Sequence, residues 1–267
     1  MHPVAAREPF PDRSTSIKCQ EGGRMSGNKS FERNVSVFNQ DAAENRGYGY
    51  TTGQQLSSRM ATARSADVIL EQARFEGRRV LDMGCGDGHF TLQFWDRGRP
   101  LEMTAVDAAP EAIKLADSRR EGRAIRFAVG DVHRLPFADN SFDIALMQSV
   151  LHHDDTPEDI VREAFRLAPE VIIHEPNGNN PALKIIERVS RYHREHNERS
   201  YSTRQLQHWI LACGARVVCT RFAGFVPMFS PDWIARLMKR VELAMESLPL
   251  VNSLCCAVVV LVGRKNC

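Results

Sequence analysis

The chain has 267 residues, 35 Lys+Arg against 33 Asp+Glu for a net charge of +2, and 43% hydrophobic residues. That is the mix of an ordinary globular protein, and it excludes collagen, coiled coil and wholesale disorder. No apolar run approaches the ~20 residues that span a bilayer, and the balanced charge carries no nucleic-acid footprint.

Residues 1 to about 30 scatter Pro, Gly, Ser and charge with little apolar periodicity, which predicts a disordered tail. Met25, following Glu21-Gly22-Gly23-Arg24, is the expected natural start. The first residues lack the apolar core of a secretory signal, and the seven cysteines form no CxxC pair and no Cys/His metal spacing. They read as reduced thiols of a cytoplasmic chain. Leu56, Met60, Ala63, Val68 and Leu70 are spaced for an amphipathic helix over 56–72. Past Gly77, short apolar runs alternate with helical stretches. Strands are expected at 80–83, 103–106, 125–129, 142–147 and 171–174, with helices opening near Phe90, after Pro110 and at Pro157. Ser202 and Gln205 predict a capping box, with Tyr201 and Leu206 as a hydrophobic staple, on a helix that ends at Gly214. A strand at 215–222, a helix at 232–247 and a Val-rich strand at 256–262 complete the reading. Strands separated by helices mean a parallel sheet covered on both faces. Residues 179–200 and 223–253 look like insertions around it.

The stretch that carries chemistry is Val80-Leu81-Asp82-Met83-Gly84-Cys85-Gly86-Asp87-Gly88. A buried strand ends in a glycine turn that opens a helix. There the backbone can approach a ligand closely and offer free N–H groups. The spacing is G-x-G-x-G, not the dinucleotide G-x-G-x-x-G. Asp107 ends the second strand, 19 residues past Gly88, where an acid can accept hydrogen bonds from ribose hydroxyls. Gly130-Asp131-Val132 closes the third strand, and Gln148-Ser149-Val150-Leu151-His152-His153 follows the fourth.

The segments VLDMGCGDG, AVDAAPEAI, VGDVHRLPFADNSFD and IALMQSVLHH resemble a class I S-adenosylmethionine-dependent methyltransferase, nearest the group that includes the ubiquinone and menaquinone C-methyltransferases. The resemblance covers about residues 80–262. It implies an α/β, Rossmann-like, seven-stranded and mostly parallel sheet with helices on both faces and the last strand antiparallel. The expected organisation is a tail over 1–30, an N-terminal helical lid segment over 31–76 and a methyltransferase domain over 77–267. The cofactor implied is S-adenosyl-L-methionine and the substrate a small molecule. By resemblance Gly84, Cys85, Gly86 and Gly88 line the cofactor's methionine part, with Asp82 ordering the loop. Asp107 and Ala108 hold the ribose, Asp131 and Val132 the adenine, and Gln148 the methionine end.

Such a reaction needs positioning first and a base only when the acceptor must lose a proton. The expected base is among His152, His153 and Glu175, with His174 nearby. Tyr48 and Tyr50, among glycines, are expected to fold over the pocket, and Arg59 to meet the cofactor's carboxylate. No metal is expected, because Asp154 and Asp155 fit better as acids before the Pro157 helix. His193 and His196 fall in a charged stretch that reads as a solvated helix face. Met228, Phe229, Trp233 and Met238 are read as core ahead of an acceptor wall. The alternatives are a nicotinamide-dependent oxidoreductase, against which the glycine spacing speaks, and a non-catalytic partner subunit. A nucleic-acid methyltransferase lacks support, since no Asn- or Asp-Pro-Pro-Tyr sequence follows the fourth strand.

Overall fold

Seven short runs rich in Val, Ile, Leu and Met pair into one sheet. They are β1 (Arg79–Met83), β2 (Glu102–Asp107), β3 (Ile125–Val129), β4 (Ile144–Gln148), β5 (Glu170–Pro176), β6 (Ala215–Ala223) and β7 (Val258–Lys265). The structure is a computed structural model, and it describes residues 29–45, 47, 48, 53–190 and 199–266. The strand order is β3-β2-β1-β4-β5-β7-β6. The pairs among β1 to β5 are parallel. Only β7 runs the other way, antiparallel to both β5 and β6. The expected mixed sheet is therefore what forms, with the reversed strand inside the sheet rather than at its edge.

Because successive side chains on a strand point to opposite faces, β1 feeds two cores. Leu81 and Met83 join Val106, Leu151, Ile160, Phe165 and Ile173 on one face. Val80 joins Ile69, Phe75, Phe94, Leu146 and Ile172 on the other. The helices that cover these faces are α1 (Lys29–Asn45), α2 (Leu56–Gln72), α3 (His89–Gly98), α4 (Pro110–Ser118), α5 (Pro157–Leu167), α6 (Pro181–Val189), α7 (Thr203–Ala212), α8 (Asp232–Ser247) and α9 (Val251–Cys255). Proline at the first position opens α4, α5 and α6, where its missing N–H costs nothing. Both halves of the Ser202/Gln205 capping box are made. Tyr201 packs on Trp209 with ring centroids 4.8 Å apart, and Gly214 leaves α7 at φ +71°.

Some readings meet the structure differently, and others fall outside the described residues. Lys29 and Ser30 begin α1 rather than ending a tail, while residues 1–28, Met25 included, lie outside the described residues. Arg188 and Val189 of the charged stretch end α6, and His193 and His196 lie outside the described residues. Phe229 and Trp233 are 86% and 69% exposed, so they are not core. Met228 and Met238 are half-buried.

The segment between β6 and β7 leaves and returns at the same point, since Ala223 and Val258 are register partners. Buried polar groups fasten it. Arg64 of α2 pairs with the fully buried Glu246 of α8 at 2.6 Å. Glu246 also accepts the Gly224 N–H at 2.9 Å, Glu242 accepts that of Phe225 at 3.2 Å, and Ser57 donates to the Met228 carbonyl at 2.7 Å. Asn177 donates to the carbonyls of Ser253 and Cys256, and Asn180, the N-cap of α6, donates to Cys256. The insertions thus stand at the carboxyl edge of the sheet.

Candidate functional site

The chain turns sharply after β1 because Gly84, Gly86 and Gly88 all take positive φ, at +80°, +53° and +76°. Gly84 and Cys85 donate to the Val106 carbonyl at 2.7 and 3.0 Å, which ties the turn to β2. Asp107 completes the tie: its carboxylate accepts the Gly86 N–H at 2.8 Å and the Ala109 N–H at 2.9 Å. Burial raises the Asp107 carboxyl above its ordinary value even though these amides lower it.

Each glycine has a different neighbour. A Cβ on Gly84 would stand 2.5 Å from Val150, one on Gly86 2.5 Å from the Tyr48 ring, and one on Gly88 2.8 Å from Ala116 of α4. Gly86 therefore meets the N-terminal segment, while Gly88 permits α3 and α4 to approach. Beneath the turn, Asp82 is buried and accepts the Thr91 hydroxyl at 2.7 Å. Burial pushes its carboxyl up to about 7. Cys85 is half-buried, and burial, followed by the charge of Asp107, raises its thiol well above the usual range. A thiol so held is a poor nucleophile.

A cleft of about 110 Å³ opens at this edge, lined by Gly84, Gly86, Asp107, Ala108, Val132 and His153, with Phe38 and Tyr48 from the N-terminal segment. Buried Tyr48 donates its backbone N–H to Asp87 at 3.4 Å, and Phe38 stands edge-on to both Tyr48 and His153. Arg119 pairs with the same Asp87 carboxylate at 2.9 Å. Helix α1 docks through two amides. Asn34 donates to the His153 carbonyl at 2.5 Å, and Asn39 accepts the Glu111 N–H at 2.8 Å, capping α4, whose own Ala109 has no capping side chain. Tyr50 lies outside the described residues. Arg59 is exposed on α2 and is not part of the cleft lining. Gln148 is half-buried at the end of β4.

Two histidine clusters follow. His133 bridges Asp131 at 2.7 Å and Asp154 at 3.1 Å, and those hydrogen bonds raise it to about 10. Burial works to raise both acids, but hydrogen bonds and charge from His133, joined at Asp154 by the Thr156 hydrogen bonds, together hold their carboxyls below the ordinary value. Asp131 lines a separate cavity of about 470 Å³ with Phe31, His133 and Arg162. Asp154 is thus used on His133 and on the Thr156 N–H at 2.7 Å, and Asp155 faces Arg199 at 3.2 Å.

In the second cluster, fully buried Glu175 spends one oxygen on the N–H groups of Val150 and Leu151 at 2.9 and 2.8 Å, and the other on His152 Nδ1 at 2.6 Å. The His152 and His153 rings lie with centroids 3.9 Å apart, tilted by 43° to one another. Ser149 sits between β4 and this turn at φ +58°, a conformation unusual outside glycine and of the kind found where structure is held for a task. His174 is buried with no hydrogen-bond partner for Nε2 among the described residues, and burial lowers its imidazole to about 4. Of the acid–base candidates, His153 alone lines the cleft, while His152 and Glu175 stand behind it.

Sequence reasoning did not find Phe38, Asn34, Asn39, His133 or the role of Asp87. Asp87 stood in the glycine turn itself, but its partners come from far along the chain.

Comparison with known proteins agrees with this edge. Residues 81–170 match the family model described as "Methyltransferase domain". The chain is 35% identical over 107 residues to a malonyl-[acyl-carrier protein] O-methyltransferase of Enterobacter lignolyticus, covering 39% of this chain and 40% of that protein. It is 30% identical over 132 residues to the demethylmenaquinone methyltransferase of Thermus thermophilus, covering 47% and 59%. The chain thus spans less than two thirds of these relatives. Magnesium protoporphyrin IX methyltransferase from Synechocystis, solved with bound SAH, superposes at TM-score 0.64 and 14% identity, covering 90% of this chain and all of that one. The antiparallel β7 inserted between β5 and β6 also sets the sheet apart from the doubly wound dinucleotide order 3-2-1-4-5-6. Over residues 81–170 the chain matches the methyltransferase domain family, and its fold is the Rossmann-like one of S-adenosylmethionine-dependent methyltransferases.

Proposed function

We propose that the chain transfers a methyl group from S-adenosylmethionine to an O, N or C atom of a small molecule. The observation that carries this reading is the Asp107 carboxylate at the cleft, drawn in by Gly86 and Ala109 beside a turn of three left-handed glycines. The residues present fit the cofactor in kind. The glycine turn brings backbone close, Asp107 offers carboxylate lone pairs to ribose hydroxyls, and Val132 offers an apolar surface to the adenine. The cleft is smaller than the ~300 Å³ at which ligand pockets begin. Tyr48, against Gly86, occupies the missing room, so we assign the segment from α1 to Tyr48 as the lid that must lift for entry.

When bound, the cofactor supplies a methyl group already activated on a sulfonium. What the chain's own residues do is hold, orient and exclude water. Asp107 positions the ribose, Asp87 latches Tyr48 through its N–H, and Phe38 with Tyr48 gives an apolar cover. Where the acceptor carries an O–H or N–H proton, His153 is the residue placed to take it, with His152 and Glu175 as positioning residues behind it. Titration calorimetry with S-adenosylmethionine and S-adenosylhomocysteine tests the cofactor. A hydrogen bond to a charged group contributes about 1.5–3 kcal/mol, so Asp107→Ala weakens binding roughly tenfold to a hundredfold. Unchanged affinity in the variant removes the assignment.

A further inference from the structure

Large apolar side chains that stay exposed gather on the insertion between β6 and β7. Phe229, Trp233, Leu237, Val241, Leu248 and Leu250 are all exposed, with Phe229 and Leu250 at 86% and 76%. Within α8 the steps from Trp233 to Leu237, Val241 and Ala244 are four, four and three residues, which lays them along one face, and Leu248 follows at the C-cap. At ~1.5 Å per residue, the sixteen residues of α8 make this ridge about 24 Å long.

The charges of α8 are sorted by face. Glu242 and Glu246 point inward and are spent on Lys239, Arg64 and the Gly224 and Phe225 amides. Arg236 and Arg240, one turn apart, are exposed along the edge of the apolar stripe. The remaining acid, Asp232, sits in the first turn, where the helix dipole favours it. The outward surface is therefore an apolar ridge led by Trp and Phe, with a basic margin and its acids turned away. Exposed apolar surface on this scale marks an interaction site. A basic margin beside an aromatic-rich apolar face is the pattern of a helix that lies in a membrane interface. A second copy pairing through the same face would bring arginines and no matching acids.

We propose that the outer face of α8, from Phe229 to Leu250, docks on an anionic lipid surface. This goes beyond methyl transfer and does not depend on it. Since the insertion starts and ends at Ala223 and Val258, docking brings the carboxyl edge of the sheet, and with it the cleft, close to the bilayer. Helix α6, whose Asn180 is tied to Cys256, adds exposed Ile185 and Val189 beside the same insertion.

The test is flotation of the full chain with vesicles of phosphatidylcholine alone or with one third phosphatidylglycerol, at low and high salt. Binding is expected to the anionic vesicles and to weaken with salt. Arg236→Gln and Arg240→Gln each lower it about fivefold. Trp233→Ser, a change at an exposed position that leaves the core intact, lowers it on the order of tenfold to a hundredfold. Circular dichroism confirms that each variant is folded. Failure to float with anionic vesicles overturns the proposal, as does equal binding by wild type and all three variants. A dimer in light scattering that Trp233→Ser disperses, with no flotation, overturns it in favour of pairing between copies.

Discussion

Glu175 is the acid whose removal tests the architecture of the site most directly. Its carboxylate accepts from Val150 N–H, Leu151 N–H and His152 Nδ1 at 2.9, 2.8 and 2.6 Å, with no exposure to water. Glu175→Ala leaves two backbone donors and an imidazole nitrogen buried without a partner. Breaking a buried charged network in this way costs about 3–5 kcal/mol. For a domain of this size each kcal/mol is worth roughly 2–4 °C in Tm, so a fall of roughly 6–20 °C is expected. Glu175→Gln keeps the shape and one acceptor for the two amides, but turns an NH₂ toward His152, which must then offer a lone pair. Its cost should be about 1–2 kcal/mol. Differential scanning calorimetry of the three proteins, with circular dichroism alongside, reads the series. A Glu175→Ala protein melting within about a degree of wild type, against that per-kcal scale, refutes the fastening argument. Full loss of turnover in Glu175→Gln, with cofactor affinity and Tm kept, refutes the positioning role in favour of a chemical one.

Arg64→Met leaves buried Glu246 with only the Gly224 amide and the more distant Arg221, at 3.9 Å, and should cost about 3–5 kcal/mol by urea denaturation, with more than half regained in Arg64→Met/Glu246→Gln. His133, raised to about 10 by Asp131 and Asp154, lends stability that is complete below its ordinary value near 6.5 and drains away as pH rises through 10. The denaturation midpoint of wild type should therefore exceed that of His133→Gln at pH 7, and the gap should close by about pH 10. Gly88→Ala places a Cβ 2.8 Å from Ala116 at a φ of +76°, so its Tm falls, and Ala116→Gly restores part of the loss by removing the clash but not the strain.

What the sequence discloses and what it hides divide along one physical line. The central strands β1, β4, β5 and β7 were readable because they are buried on both faces and so stay largely apolar, and α5 and α8 begin where expected because Pro157 and Pro231 mark their starts. Asp107 was readable from its distance to the glycines. The partners that give those residues their setting were not. Tyr48 meets Gly86, Asn39 caps α4, and His133 joins two aspartates, each across a separation that no local pattern encodes. Phe229 and Trp233 were misjudged for a related reason: an apolar helical stripe looks the same whether it faces a core or the outside.

The adjacency of Ala223 and Val258 has an evolutionary consequence. Residues 224–257 form a cassette whose two ends meet on neighbouring strands, so a replacement of different length needs only to span the same short gap. Closing a longer loop adds little, about 0.6 kcal/mol per doubling. The glycine turn and Asp107 lie at the ends of β1 and β2, four and five strands away from β6 in the sheet order, and do not move with it. Selection can therefore exchange residues 224–257 while leaving the glycine turn and Asp107 untouched.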